Sequence, residues 1–334
     1  MPKKPKFAVF GGGSWATAIV KMLCENLNEV GWYMRSKEAI DYIEAYGHNP
    51  NYLSSVEFNL KQLRLSNDIN KTVSNADYLI FLIPSAFLQH ELEKLTVSLE
   101  NKIVFSAIKG IVPETSLIVG DHFNTYYKVP FNNIGVISGP CHAEEVALER
   151  LSYLTIASAD DKKANIVANV LRSDYIKCTT SDDVLGTEYA AMLKNIYAVA
   201  AGIAHGLGYG DNFQSVLMSN AIREMKKYVK KVHKMKRDIN DSAYLGDLLV
   251  TGYSIFSRNR LFGTMIGKGY TVKSAQLEMS MIAEGYYASK SAYLLNQQKG
   301  KKKAKTPIID AVYEILYENK DPKKTFKKLA DKLD

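Results

Sequence analysis

The feature that most constrains this chain is its start. Phe7-Ala8-Val9-Phe10 runs directly into Gly11-Gly12-Gly13-Ser14-Trp15-Ala16. A GxGxxA pattern that follows a compact apolar strand and opens a helix admits few folds. Gly11 permits the tight turn, Gly13 lets backbone approach a pyrophosphate, and the small Ala16 lets helix and strand pack closely. Free amides and the dipole at the helix start then favour phosphate. The pattern continues downstream. Ala16–Leu27 carries apolar residues at helical spacing, and Val30–Met34 reads as a second strand. Tyr78–Ile83 is apolar throughout, as a strand covered on both faces should be, and Ile103–Ala107 and Ile134–Ile137 follow the same style. Such repetition predicts an α/β fold with a Rossmann-type, doubly wound parallel sheet.

After about Thr180 the style changes. Val184–Ile203, Gln214–Val232, Ser274–Leu295 and Ile308–Tyr317 read as helices, and Thr180-Ser181-Asp182-Asp183 reads as a capped helix start. We therefore expect a dinucleotide-binding domain over residues 1–178 and a mainly helical substrate and catalytic domain over 179–334. A length of 334 residues suits two cores. The formal charge is +8, and much of the excess sits in Lys226–Arg237 and Lys299–Lys305. Such runs are most often solvated surface. No aromatic interleaves the second one, which argues against nucleic acid. Cys24, Cys141 and Cys178 show no CxxC spacing, so neither a disulfide framework nor a metal site is indicated. The N-terminus leads straight into the glycine loop and does not resemble a signal peptide, so a cytoplasmic location is expected. Tyr189–Gly210 is weakly charged, but it contains Lys194, Asn195 and His205. It reads as a buried helix of a soluble domain, without stable membrane insertion.

Candidate chemistry is concentrated in a few segments. Lys194 is one full charge in an otherwise apolar stretch. A buried ammonium has a lowered pKa and becomes a competent acid or base, whereas a snorkelling one does neither; the pattern alone leaves both open. Asn195 beside it offers a donor and an acceptor. Asp247, followed by Ser257-Arg258-Asn259-Arg260, suits a lysine partner and a phosphate grip. Ser138-Gly139-Pro140-Cys141-His142 makes a rigid turn after a strand, where ligands bind in such folds. At the end of the second strand stand Arg35 and Ser36, where an NAD-specific site places an acid. That favours a 2′-phosphate.

Together these residues resemble the bacterial-type NAD(P)-dependent glycerol-3-phosphate dehydrogenases over nearly the whole chain. The matching pieces include GGGSWATA, NPNYL, AIKG, ISGPCHAEEVA, DVLGTEYAAMLKNIYAVAAGIAHGLGYGDN, LGDLLVTGYSIFSRNR and AEGYYASK. The resemblance implies a Rossmann domain joined to a helical domain, with substrate in the cleft. It also implies reversible reduction of dihydroxyacetone phosphate to sn-glycerol 3-phosphate by NADPH or NADH, a supply of glycerophospholipid backbone, and a homodimer. By motif it makes Lys194 the catalytic acid/base. The substrate shell becomes Lys109, Gly139, Cys141, Lys194, Asn195, Asp247, Ser257, Arg258 and Asn259. The cofactor contacts become Gly11, Gly13, Ser14, Trp15, Arg35, Lys109, Ala143, Arg258, Ile282 and Glu284. Cys141 and His142 depart from the family's Ser or Thr followed by Phe, and a thiol is a weaker donor than a hydroxyl. A reductase of an unphosphorylated keto acid is the rival enzyme, and it would not need Arg258 and Asn259. A catalytically silent nucleotide-sensing module is the rival of another class, and it would not need Lys194, Lys109 and Asp247.

Overall fold

The computed structural model describes residues 4–279 and 283–334. The chain forms two compact units, Met1–Ile108 with Leu117–Val184, and Lys109–Ser116 with Leu185–Asp334.

The first unit is built on an eight-stranded sheet. Its strands are β1 (Phe7–Phe10), β2 (Val30–Tyr33), β3 (Leu63–Ser66), β4 (Tyr78–Phe81), β5 (Ile103–Ser106), β6 (Ile134–Ser138), β7 (Ser152–Ser158) and β8 (Ile176–Ser181). Their order is β8-β7-β6-β5-β4-β1-β2-β3. β1 pairs in parallel with β2 on one side and β4 on the other, with Phe10 opposite both Tyr33 and Phe81. The chain therefore winds outward in both directions from the β1–β4 junction, the switch point where open sheets of this kind bind ligands. β1 and β4 are buried along their whole length, which is why they read as continuous apolar runs. The Ser14–Asn26 helix covers the sheet with Ala16, Ala18, Ile19, Val20, Met22 and Leu23.

Two expectations are corrected here. The sheet is not wholly parallel, because β6 and β7 run antiparallel. The connection between them carries only the short Ala143–Ala147 helix. Thr180 and Ser181 close β8 instead of opening a helix, although Ser181 Oγ does accept from Asp183 N (3.1 Å) just before Val184. Strands β3, β7 and β8 escaped the apolar pattern because each carries several polar residues.

The second unit is helical around Val184–Gly206, which is buried along nearly its full length. Asp211–Val232, Arg258–Gly267, Glu284–Gln298, Pro307–Tyr317 and Pro322–Ala330 belong to the same unit. Gly202 and Gly206 meet Gly263 and Gly267. A Cβ on Gly202 would lie 2.0 Å from Arg260 O, and one on Gly263 would lie 2.1 Å from Val199 O. Only glycine permits two backbones to approach so closely. The expected single helix Ser274–Leu295 is instead two, Val272–Glu278 and Glu284–Gln298, with extended backbone at Met279 and Ala283. No helix among the described residues is long and apolar enough to cross a membrane.

Candidate functional site

In the first unit, the glycine loop connects β1 to its helix. Gly11 has φ +137°, and its N–H donates to Tyr33 O (3.0 Å). A Cβ there would touch Leu82 O at 3.0 Å. Gly13 takes the position before the helix, where no side chain caps the free amides. A Cβ on Gly13 would meet nothing within 4 Å, so the loop leaves room beside the helix start. Space plus uncapped amides fits the pyrophosphate of a dinucleotide. Ser14 opens the helix, and Trp15 is partly buried against the core.

Asn49, from the NPNYL segment, holds this loop and was given no role by the sequence. It is buried, and its Nδ2 donates to Gly12 O (3.1 Å) and Thr17 Oγ1 (2.9 Å). Its Oδ1 accepts from Asn51 N (3.0 Å) and Tyr52 N (3.2 Å). Thr17 in turn donates to Gly13 O (3.0 Å). One amide therefore ties a distant turn to both ends of the phosphate loop.

Beyond β2, Arg35 is exposed. The Ser36 hydroxyl is already engaged, accepting from Ala39 N (3.1 Å) as a helix cap and donating to Glu38 (2.8 Å). Arg35 is thus the better candidate of the two for a 2′-phosphate. Gly139 has φ +122°, and a Cβ would stand 2.6 Å from Tyr153 O, so the turn after β6 requires glycine. Cys141 and Ala143 are buried in the apolar core of this unit.

The second unit gathers the charged candidates. Lys194 is 3% exposed and Asp247 1%, and they form a buried ion pair. Burial pulls the Lys194 ammonium well below its ordinary pKa, and Lys109 repels it further, while the Asp247 carboxylate works in the opposite direction. The snorkelling alternative is excluded. Asp247 opens the Asp247–Tyr253 helix after a wide π-type turn at Ser242–Gly246. Thr251 Oγ1 donates back to Asp247 O (2.7 Å). Asn195 Nδ2 donates to Lys109 O (2.7 Å), anchoring the segment that carries Lys109.

Ser257 caps the Arg258–Gly267 helix, its Oγ accepting from Arg260 N (3.3 Å). Exposed Arg258 is the first residue of that helix, and a guanidinium residue at a helix N-terminus is a combination suited to an anion. Asn259 Oδ1 accepts from Gly285 N (2.8 Å), leaving its NH2 to donate. A Cβ on Gly285 would lie 2.6 Å from Asn195 O, which brings Asn195, Asn259 and the start of the Glu284–Gln298 helix together. Glu284 is the first residue of that helix. Ile282 lies outside the described residues. Among the described residues no cluster of His, Cys, Asp or Glu is arranged to hold a metal.

Two family models match end to end. The NAD-dependent glycerol-3-phosphate dehydrogenase N-terminus covers residues 6–164, and the C-terminus of the same enzyme covers 183–327. The glycerol-3-phosphate dehydrogenase [NAD(P)+] of Clostridium botulinum (strain Eklund 17B / Type B) is 34% identical over 320 residues, 95% of this chain and 94% of that protein. This chain belongs to the NAD-dependent glycerol-3-phosphate dehydrogenase family. The enzyme of the same name from Staphylococcus carnosus (strain TM300) is 33% identical, covering 93% of each chain. The crystal structure of glycerol-3-phosphate dehydrogenase from Coxiella burnetii superposes with a TM-score of 0.89 at 27% identity, covering 98% of this chain and 99% of that one.

Proposed function

We propose that this protein is an NAD(P)H-dependent dehydrogenase that reversibly reduces dihydroxyacetone phosphate to sn-glycerol 3-phosphate, a precursor of glycerophospholipids. The observation that carries the reading is the buried Lys194–Asp247 pair in the same unit as the Arg258 helix start. An ammonium kept in an apolar helix and lowered in pKa is suited to exchanging a proton near neutrality. Lys194 donates from Nζ to the carbonyl oxygen as it becomes a hydroxyl, and recovers the proton in the reverse direction. Asp247 orients the ammonium. Arg258 and the Asn259 NH2 hold the phosphate, with Ser257 shaping the helix start. Lys109, Gly139, Cys141 and Asn195 complete the substrate shell.

The nicotinamide cofactor supplies or accepts the hydride. Gly11, Gly13, Ser14 and Trp15 would hold its pyrophosphate and Arg35 its adenosine ribose. Lys109, Ala143, Arg258, Ile282 and Glu284 are the further contacts in this reading. A homodimer acting in the cytoplasm is part of the same proposal, checked by sedimentation and by fractionation. The deciding experiment compares NADPH and NADH oxidation with dihydroxyacetone phosphate against unphosphorylated dihydroxyacetone. Turnover should require the phosphate. Equal turnover of the two ketones would favour the keto-acid type of site. Arg35→Asp should lose NADPH preferentially, since a charge-assisted contact is worth roughly 1.5–3 kcal/mol.

A further inference from the structure

The dehydrogenase site leaves the two basic runs without a role. Lys226, Lys227, Lys230 and Lys231 fall at i, i+1, i+4 and i+5 on the Asp211–Val232 helix, so they share one face. All are exposed, while Met225, Tyr228 and Val229 turn into the core. None forms an ion pair with a carboxylate among the described residues. The pairs 226/230 and 227/231 place like charges one turn apart, which weakens a helix. Lys230 and Lys231 recover something from the dipole in the last turn; Lys226 and Lys227 lie before it. The arrangement therefore opposes folding, with only the dipole at Lys230 and Lys231 to offset it inside the molecule.

The second run begins beside the end of this face, at Lys299. A small cavity is lined by Lys231 and Lys299 together with Tyr189, Tyr228, Val232 and Leu295. The partners around it are fixed. Tyr228 OH donates to Ala292 O (3.0 Å), joining the lysine helix to Glu284–Gln298. Asn296 then clamps the far end of the lysine loop, donating to Ala304 O (3.0 Å) and Thr306 Oγ1 (3.0 Å) and accepting from Ala304 N (2.8 Å). Lys231 and Lys299, from runs far apart in sequence, thus lie side by side, with the backbone of both segments tied down next to them.

We propose that this surface docks the protein on anionic phospholipid bilayers. The charges are lysines, which are point charges on flexible stems and suit mobile headgroups better than a fixed fork does. Lys226, Lys227, Lys230, Lys231 and Lys299 are all exposed, so these charges are open to solvent and not enclosed as in a socket for one small anion. Tyr228 is buried with its hydroxyl engaged, leaving no ring between the helix lysines for a base to stack on. A second copy carrying the same surface would be repelled. The choice of lipid rests on the proposed product as well. Its two free hydroxyls are acceptors for acyl transfer, and the membrane is where acyl chains are consumed. Adsorption would release glycerol 3-phosphate beside that reaction.

The test is vesicle flotation of the full chain, with phosphatidylcholine alone and with equal parts phosphatidylcholine and phosphatidylglycerol. The protein should float only with the anionic mixture, and less as salt rises. Each lysine near such a surface contributes roughly fivefold in partitioning, so Lys→Gln at 226, 227, 230 and 231 together should weaken it by roughly several hundredfold. The same four-charge change at Lys323, Lys324, Lys327 and Lys328 should leave flotation nearly intact. Turnover in free solution should be unchanged in both variants. No flotation with the anionic mixture, or equal loss in both variants, overturns the proposal. Lysine-dependent retention of RNA without flotation would assign the surface to nucleic acid. Blocking by millimolar inorganic phosphate at constant ionic strength would assign it to one small anion.

Discussion

At the residue scale, the unusual feature is an ion pair that the fold does not need. A lysine and an aspartate fully removed from water recover little net stability, and apolar residues of like volume would serve the core as well. The pair makes sense as a proton device. Lys194→Ala should cost about a hundred- to ten-thousand-fold in turnover while cofactor titration stays intact. Near-normal turnover in a folded variant would remove Lys194 from the chemistry. The direction of its pKa shift also fixes a pH dependence. In the proposed mechanism reduction needs the ammonium, so its rate should fall as pH rises through the lowered Lys194 pKa, and oxidation should rise over the same interval. Asp247 holds that pKa up against burial, so Asp247→Asn should move both profiles to lower pH; an unmoved profile would mean that another group titrates. Lys194 stands out in the sequence because one charge in an apolar helix is a local contradiction, although the pattern alone does not say whether it is buried. Asn49 could not be found this way. Its partners Gly12 and Thr17 are more than thirty residues away, and an Asn beside a proline reads only as a turn. Asn49→Ala should raise KM for the cofactor several-fold with kcat nearly unchanged, and Asn49→Asp, which lacks the donor, should not rescue it. A fall in kcat alone would mean that the loop is held by other contacts.

At the scale of elements, the parts that repeat were readable and the parts that touch were not. β1, β2, β4, β5 and β6 appear in the sequence as apolar runs because both faces of each are covered. The Arg258–Gly267 helix did not appear as a helix. Gly263 and Gly267 lower helix propensity, and they stand there for a reason that lies in another element. They let the helix approach Val184–Gly206 at backbone contact, and that approach places Arg258 and Asn259 in fixed relation to Lys194. Gly263→Ala forces a methyl to within 2.1 Å of Val199 O. Overpacking of this kind costs about 1–3 kcal/mol, and more where backbone cannot retreat. Urea unfolding should show the loss, and KM for dihydroxyacetone phosphate should rise with it. A stable variant with unchanged KM would show that the two helices can separate without disturbing the proposed phosphate grip. The excursion of residues 109–116 into the helical unit was equally hidden, because partners distant in sequence, such as Asn195 bonded to Lys109 O, hold it and no local pattern marks it.

At the scale of the whole molecule, the stability of the helical unit is tied to one further buried acid. Glu224 is 3% exposed and caps the Pro307–Tyr317 helix from outside, accepting from Ile308 N (2.8 Å) and Ile309 N (3.0 Å). Burial raises its pKa to about 8, against the opposing pull of those two amides, and the nearby Asp310 adds to the rise. The sign of the linkage follows. Between the unfolded carboxyl pKa of about 4.3 and the folded value, the native state holds a proton that the unfolded chain has released, so this group's contribution falls as pH rises through that window. The protein should therefore lose stability from mildly acidic to mildly alkaline pH, beyond what its other groups impose. Glu224→Gln removes the titration while keeping the volume and one acceptor oxygen. It should lower stability at acid pH, where one capping bond is gone, and flatten the decline toward alkaline pH. Thermal unfolding of both proteins across this range is the measurement. Parallel curves would mean that Glu224 is ionised throughout and that the two amides, together with the positive end of the helix, outweigh its burial.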